Sequence, residues 1–344
     1  MSAVSLRLPS YSLFAGMLAM AGLPIYIHAP KFYVDEYGVS LAALGAALFG
    51  LRLLDVVQDP MLGWLSGRLR NRRAMAVAIG GVVMALAMLG LFAVAPLFSP
   101  LLWFALTLAL LFSAFSFLTI TFYAQGVTKA ESLGDGGHVR LAGWRETGAL
   151  VGVSLAAIAP VALASASASP FLLFAVLFAL LAVLAVASMH AEWRPTATSG
   201  DTHFIDVLSD PLLRRLLLIA LLNSMPVAVT STLFLFFVES RLAAPGWEGP
   251  LLLLFFLSAA VAAPFWSRLA TQIGAKRALQ AGMALAIGAF VWAAFLGQGD
   301  VMAFAVICVA SGAALGADMT LLPAMFARRA AETAPEAAMG FGLW

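Results

Sequence analysis

Apolar runs of about 20 residues, separated by short polar intervals, set the rhythm of this chain. That length crosses a hydrocarbon core of roughly 30 Å at about 1.5 Å per residue. Ten runs are predicted as spans, at 11–29, 41–66, 75–96, 101–123, 141–164, 170–189, 213–238, 249–270, 278–297 and 300–326. All are predicted as helices, because a lipid-exposed backbone must satisfy its hydrogen bonds within its own segment and no alternating barrel-strand pattern occurs. Composition agrees: 63% of residues are hydrophobic and 10% charged, with a mean hydropathy of +1.00. These values exceed the apolar share of soluble domains and indicate an all-α polytopic membrane protein. The first span lacks a cleavable small-residue site followed by a soluble domain, so it reads as a retained helix.

Charge sets the expected orientation. With a cytoplasmic N-terminus, the loops on that side carry Arg68, Arg70, Arg72, Arg73, Lys129, Arg140, Arg194, Arg214, Arg215, Lys276, Arg277, Arg328 and Arg329. The opposite loops carry only Lys31 and Arg241. This asymmetry predicts a multi-pass cell-membrane protein, of the bacterial inner-membrane kind, with its basic loops inside. The net charge of +2 then reports orientation rather than nucleic-acid binding. The single Cys308 excludes an intramolecular disulfide framework and a CxxC metal site. There is no Gly-rich phosphate loop, nucleophile elbow or metal-spaced His/Cys cluster, so an enzyme reading lacks chemistry and no cofactor is implied. The expected partners are a small solute, a cation and the bilayer, and a monomer is expected.

The longest polar interval, "HAEWRPTATSGDTHFIDVLSDPL" at 190–212, divides six spans (1–189) from four (213–344). "GWLSGRLRNRR" after the second span and "PFWSRLATQIGAKR" after the eighth share an aromatic, an Arg and a terminal basic pair. Such loops at matching places indicate two pseudo-symmetric halves related by parallel repetition.

Within the second span, "LRLLDVVQDPMLGW", lie three ionisable groups: Arg52, Asp55 and Asp59. At 100° per residue, positions 52, 55, 59 and 63 fall within about 80° of one another and form one stripe. Counted back from Arg68, Asp59 lies about 13 Å and Asp55 about 20 Å deep. Facing lipid, the three would cost about 8 to 10 kcal/mol. The stripe is therefore predicted to face the bundle interior. Two carboxylates one turn apart, with the amide of Gln58, offer hard oxygens for a small cation or a shared proton. Arg52 neutralises one acid when the site is empty. A mere inter-helical packing pair accounts for Arg52 and Asp55 but leaves the second acid unexplained.

The six-span half, the central loop and the duplicated basic loop resemble the major facilitator superfamily. Gly63, Arg68, Arg72 and Arg73 follow its loop signature, although Gly67 stands where an acid is expected. More narrowly, R-x-x-D-x-x-x-D-P-x-x-G over Arg52, Asp55, Asp59, Pro60 and Gly63 resembles the glycoside-pentoside-hexuronide:cation symporters. The resemblance implies a twelve-helix fold with about ten helices present here, 327–344 reaching only the start of the eleventh. It also implies that Asp55 and Asp59 ligate a coupling Na⁺, Li⁺ or H⁺, with Gln58 in place of an Asn. In "ITFYAQG" and "RETGALVG" it makes Tyr123 a sugar-stacking aromatic, Arg145 a sugar contact and Ser116 a cation-holding hydroxyl. An interfacial aromatic, a helix-end anchor and a small packing residue fit the same three positions.

Departures bear on the solute. Family galactoside carriers have sugar-binding acids where this chain has Leu18, Ala19, Met20 and Thr119. Their loss argues against a galactoside and leaves Arg145 unbalanced, which favours an anionic solute such as a uronate. Other polar positions carry two readings each. Asp318 either joins a transport path or bonds a neighbouring hydroxyl, Glu146 is the electrostatic partner of Arg145 rather than a separate site, and Asn223 is an inter-helical hydrogen-bonding residue or a cavity ligand. His28 sits at the external mouth, a pH sensor or simply solvated. The leading function is cation-coupled symport of a sugar or sugar acid by alternating access. The alternatives are a proton-coupled efflux carrier and a non-transporting membrane scaffold.

Overall fold

The computed structural model describes residues 7–193, 209–333 and 341. Among the described residues the α-helices are, in chain order, α1 Leu8–Met20, α2 Leu23–Tyr37, α3 Leu41–Arg68, α4 Arg73–Phe92, α5 Pro100–Ser132, α6 Gly137–Leu163, α7 Pro170–Met189, α8 Pro211–Phe236, α9 Glu248–Ile273, α10 Ala275–Val291 and α11 Val301–Thr333. Each predicted span falls on helix, and no strand occurs among the described residues. Seven of these segments are long and apolar enough to cross a membrane. Most of the central interval and of the segment read as an eleventh span, 194–208 and 334–340, lies outside the described residues.

The first span is not the single helix expected. It breaks into α1 and α2 at Ala21 and Gly22, and α2 then opens on Pro24 in its first turn, where a missing N–H has no intrahelical partner to lose. Elsewhere the ends carry ordinary local signals. Ser40 caps α3 by accepting from Ala43 N at 3.3 Å, and α5 and α7 open on Pro100 and Pro170, whose fixed φ suits a first helical turn. Gly38, at φ 64°, closes α2 in a conformation that glycine adopts without a steric penalty.

Packing in the first half turns on α6. Its Gly148 and Gly152 press against the backbone of Ser12 and Gly16 in α1, and a Cβ added at Gly16 would lie 3.0 Å from the Gly148 carbonyl oxygen. The small-x-x-x-small spacing lets backbones approach where lipid supplies no hydrophobic drive to pair helices. A second such pair, Gly312 and Gly316 of α11, meets Phe255 and Ala259 of α9. α6 also packs on α9. Leu150 packs with Phe256, Ala259, Ala260 and Ala263, and Ser267 Oγ donates to the Val139 carbonyl at 2.9 Å.

At the basic-loop end, Glu192 gathers the first half. Its carboxylate lies 2.9 Å from Lys129 Nζ and 3.2 Å from Arg7 Nη1, and it accepts from Tyr11 Oη at 3.3 Å. Its carbonyl accepts from Gln125, which in turn accepts from Arg73. Lys129 and Glu192 side chains are each 8% exposed. Removing one member of a buried ion pair strands the other charge, at a cost of about 3 to 5 kcal/mol. Glu192→Ala is therefore expected to lower the thermal unfolding midpoint in detergent far more than Glu332→Ala, whose ion pair with Arg328 is exposed. Equal shifts would show that the cluster does not brace the half.

Candidate functional site

Two layers of polar side chains occupy the inward faces of α3, α5 and α6. The upper layer rises from the stripe read on α3. Leu51, Gly63, Ser66 and Gly67 mark its buried side, while Val56, Val57 and Met61 point outward with 73%, 64% and 64% exposure. Asp55, Gln58 and Asp59 lie on the inward side and are half-buried.

The carboxylates of this layer have unequal company. Asp55 Oδ2 is 3.7 Å from Arg52 Nη1, and Asp55 Oδ1 is 3.4 Å from Gln58 Nε2. Ser116 of α5 interacts with Asp59, whose Oδ1 is shielded from solvent and has no hydrogen-bond partner. Gln58 Oε1 accepts from Ser113 Oγ of α5 at 2.9 Å. Ser113 is a member of the site that sequence reasoning missed. The signal was available: it lies one turn before Ser116 and so shares its face. α3 and α5 run side by side in register, since Ser66 Oγ meets Thr121 Oγ1 at 2.8 Å with the same offset of 55 residues that separates Gln58 from Ser113.

Arg52 departs in part from the expected inward stripe. Its side chain is 62% exposed and its guanidinium lies over the Tyr26 ring of α2 at 4.4 Å. Drift around the helix carries the stripe to the bundle edge at its outer end. There a long side chain keeps its charge near Asp55 while resting on an aromatic face.

The lower layer lies about 10 Å further along α5, the rise from Ser116 to Tyr123. Arg145 and Glu146 of α6 are buried, at 5% and 2% exposure. Arg145 Nε donates to Glu146 Oε1 at 2.7 Å, and Tyr123 Oη donates to the same oxygen at 3.1 Å. The guanidinium lies 3.7 Å from the Tyr123 ring centroid, close enough for a strong cation–π contact. Arg145 Nη2 is buried without a hydrogen-bond partner. Phe341 packs against Tyr123 and Phe326, at 5.1 and 5.3 Å between centroids. Thr119 lies between the layers on α5, its hydroxyl oxygen buried and unpartnered.

Glu146 is the partner of Arg145, as expected of it, so Arg145 is not left unbalanced by the missing family acids. The pair is neutral as a unit, so the electrostatic argument for an anionic solute lapses. The remaining candidates stand apart. Asn223 of α8 donates to Asp318 Oδ1 of α11 at 2.6 Å, a pair in the second half that no described contact joins to either layer. His28 lies 3.0 Å from the Ala157 carbonyl of α6, tied to a helix rather than free at a mouth. No group of three or more His, Cys, Asp or Glu able to hold a metal ion occurs among the described residues.

The fold is shared with a bacterial homologue of the iron transporter ferroportin in its outward-facing state. That structure aligns with a TM-score of 0.68 at 15% identity, over 99% of this chain and 88% of its own. A search of curated proteins finds no match. Across residues 10–335 the sequence fits the family model described as "MFS/sugar transport protein". With seven helices long and apolar enough to cross a membrane among the described residues, the chain belongs to that family of membrane transporters of the major facilitator superfamily.

Proposed function

We propose that this transporter couples the movement of a small, hydroxyl-bearing solute, a sugar or related compound, to that of Na⁺ or H⁺. Asp55 and Asp59 take the cation, assisted by Gln58 and Ser116, and Tyr123, Arg145 and Thr119 contact the solute. The observation that carries this reading is the unpartnered, shielded Asp59 Oδ1 beside Asp55, one layer above an Arg145 with an unused buried donor. A carboxylate oxygen without a donor is stabilised by a cation or a proton. A buried guanidinium nitrogen calls for an acceptor such as a solute hydroxyl.

Neutralising the two acids would ease burial of the α3 face as the halves rock about the α6–α9 seam, which is how cation entry drives alternating access. The aromatic face of Tyr123 suits the apolar side of a sugar ring. The charge-balanced Arg145–Glu146 pair favours a neutral solute over an acid.

The test is uptake into proteoliposomes across a panel of sugars, polyols and sugar acids, under an imposed Na⁺ gradient, an imposed pH gradient, or neither. At least one neutral member should accumulate only when one of the gradients is present. Uptake that proceeds equally with and without both gradients would sink the coupling.

A further inference from the structure

The Gln58 amide sits between an acceptor and a donor, and chemistry dictates which end faces which. An ionised carboxylate only accepts hydrogen bonds, so a Gln58 oxygen turned toward Asp55 would bring two acceptors together. With Nε2 toward Asp55 at 3.4 Å, Oε1 is left for the Ser113 hydroxyl, which donates to it at 2.9 Å. The two contacts form one directed chain, Ser113 to Gln58 to Asp55, in which each member supports the orientation of the next.

An alkali cation is held by oxygen lone pairs. In this orientation, Gln58 presents the positive end of its amide to Asp55 and occupies one of that carboxylate's acceptor sites. To ligate a cation, the amide must turn over, which gives up both its bond to Asp55 and the bond it receives from Ser113. Ser113 thus opposes the turn without touching the ion.

We infer that Ser113 is a positioning residue that sets the ion preference of this site: by holding Gln58 with its NH₂ toward Asp55, it weakens alkali-cation binding. The inference rests on the reading of Asp55 and Asp59 as the coupling site. Losing one such hydrogen bond changes a binding constant by about tenfold. It also follows that a hydroxyl one turn before the expected ligand Ser116, and not the acids alone, decides how well Na⁺ competes for the site.

The test uses the full chain in detergent, titrated with NaCl against choline chloride at constant ionic strength, with the thermal unfolding midpoint as readout. Ser113→Ala is expected to lower the half-saturating Na⁺ concentration about tenfold, and Ser113→Thr, which keeps the hydroxyl, to stay at the wild-type value. In a Gln58→Ala background, Ser113→Ala should change nothing, an outcome that a merely structural role for Ser113 would not produce. If the alanine variant fails to fold, Ser113→Cys, of similar shape and a poor donor, gives the same comparison. Equal half-saturation in wild type and Ser113→Ala, no Na⁺ response in a folded Ser113→Ala protein, or the same Ser113→Ala effect without Gln58 would each overturn the inference. A Na⁺ response of Ser113→Ala that survives Asp55→Asn would instead overturn the coupling-site reading on which it rests.

Discussion

Proteoliposomes carrying Asp55→Asn or Asp59→Asn are expected to lose concentrative uptake while still equilibrating solute down its gradient. Asparagine keeps the size of aspartate and one acceptor oxygen, so the packing of α3 on α5 survives. What it removes is the charge, and with it the cation's stabilisation. A charge-assisted contact is worth roughly 1.5 to 3 kcal/mol, on the order of 10- to 100-fold in cation affinity. Coupling is a shared free energy between two ligands, so a site that no longer holds the cation cannot pass its gradient to the solute. The lower layer, in which Tyr123 and Arg145 bond Glu146, lies some two turns away and is untouched, which is why downhill exchange is expected to persist if solute binds there. The measurement is accumulation ratio alongside counterflow exchange. Accumulation by both single variants at the wild-type ratio would remove the acids from the mechanism. Loss of both accumulation and counterflow would point to a folding defect, which a thermal unfolding scan of the same protein distinguishes.

Gly148→Leu should have an effect of similar size on the folded protein itself. Even the first carbon of a side chain at Gly148 meets the Ser12 backbone, closer than real Cβ contacts come, and the same holds at Gly152 against Gly16. The obstacle is main chain on both sides, so no rotamer change relieves it and the helices must separate. In lipid the separated helix loses backbone packing and the bond from Ser12 Oγ to the Trp144 carbonyl, with no hydrophobic collapse to restore the contact. Arg145 and Glu146 lie on the same stretch of α6, within one turn of Gly148, so the lower layer should be displaced along with the seam. Expression should fall, and the remaining protein should elute as aggregate or unfold at a markedly lower temperature. Gly288→Leu on α10, where a Cβ meets nothing, should behave as wild type. If Gly148→Leu is as stable as Gly288→Leu, the α1–α6 seam is not what organises the first half.

The two carboxylates were legible in the sequence because a helix repeats every 3.6 residues: Asp55 and Asp59, four apart, had to share a face. Gln58 was legible for the same reason. Ser113 was legible only in part: its place one turn before Ser116 put it on the same face, but nothing local tied it to Gln58. Its role exists only because α3 and α5 lie in a register that brings position 58 against position 113. Arg145 shows a different limit. Its neighbour in the sequence was the candidate partner, yet the missing acids of the family pattern suggested an unbalanced Arg. Only the folded geometry shows that Glu146 Oε1 takes both the Arg145 Nε–H and the Tyr123 hydroxyl. Glu192 gave no local signal because its partners, Arg7, Tyr11 and Lys129, come from widely separated parts of the chain.

By itself the sequence determined what depends on composition and short period. That comprises the membrane environment, the helical state of the apolar runs, and the presence of two acids on one face of the second. Those follow from the length of the hydrocarbon core, the need to satisfy backbone hydrogen bonds in lipid, and the 100° step of a helix. The tertiary structure alone decided the Gly148–Gly152 seam, the sharing of Glu146 Oε1 between Arg145 and Tyr123 and the hydroxyl that Gln58 meets on α5. These depend on how far one helix slides and turns against the next. In a bilayer that choice is made by close packing of small residues and by inter-helical hydrogen bonds rather than by burial of apolar surface, so no single stretch of sequence carries it.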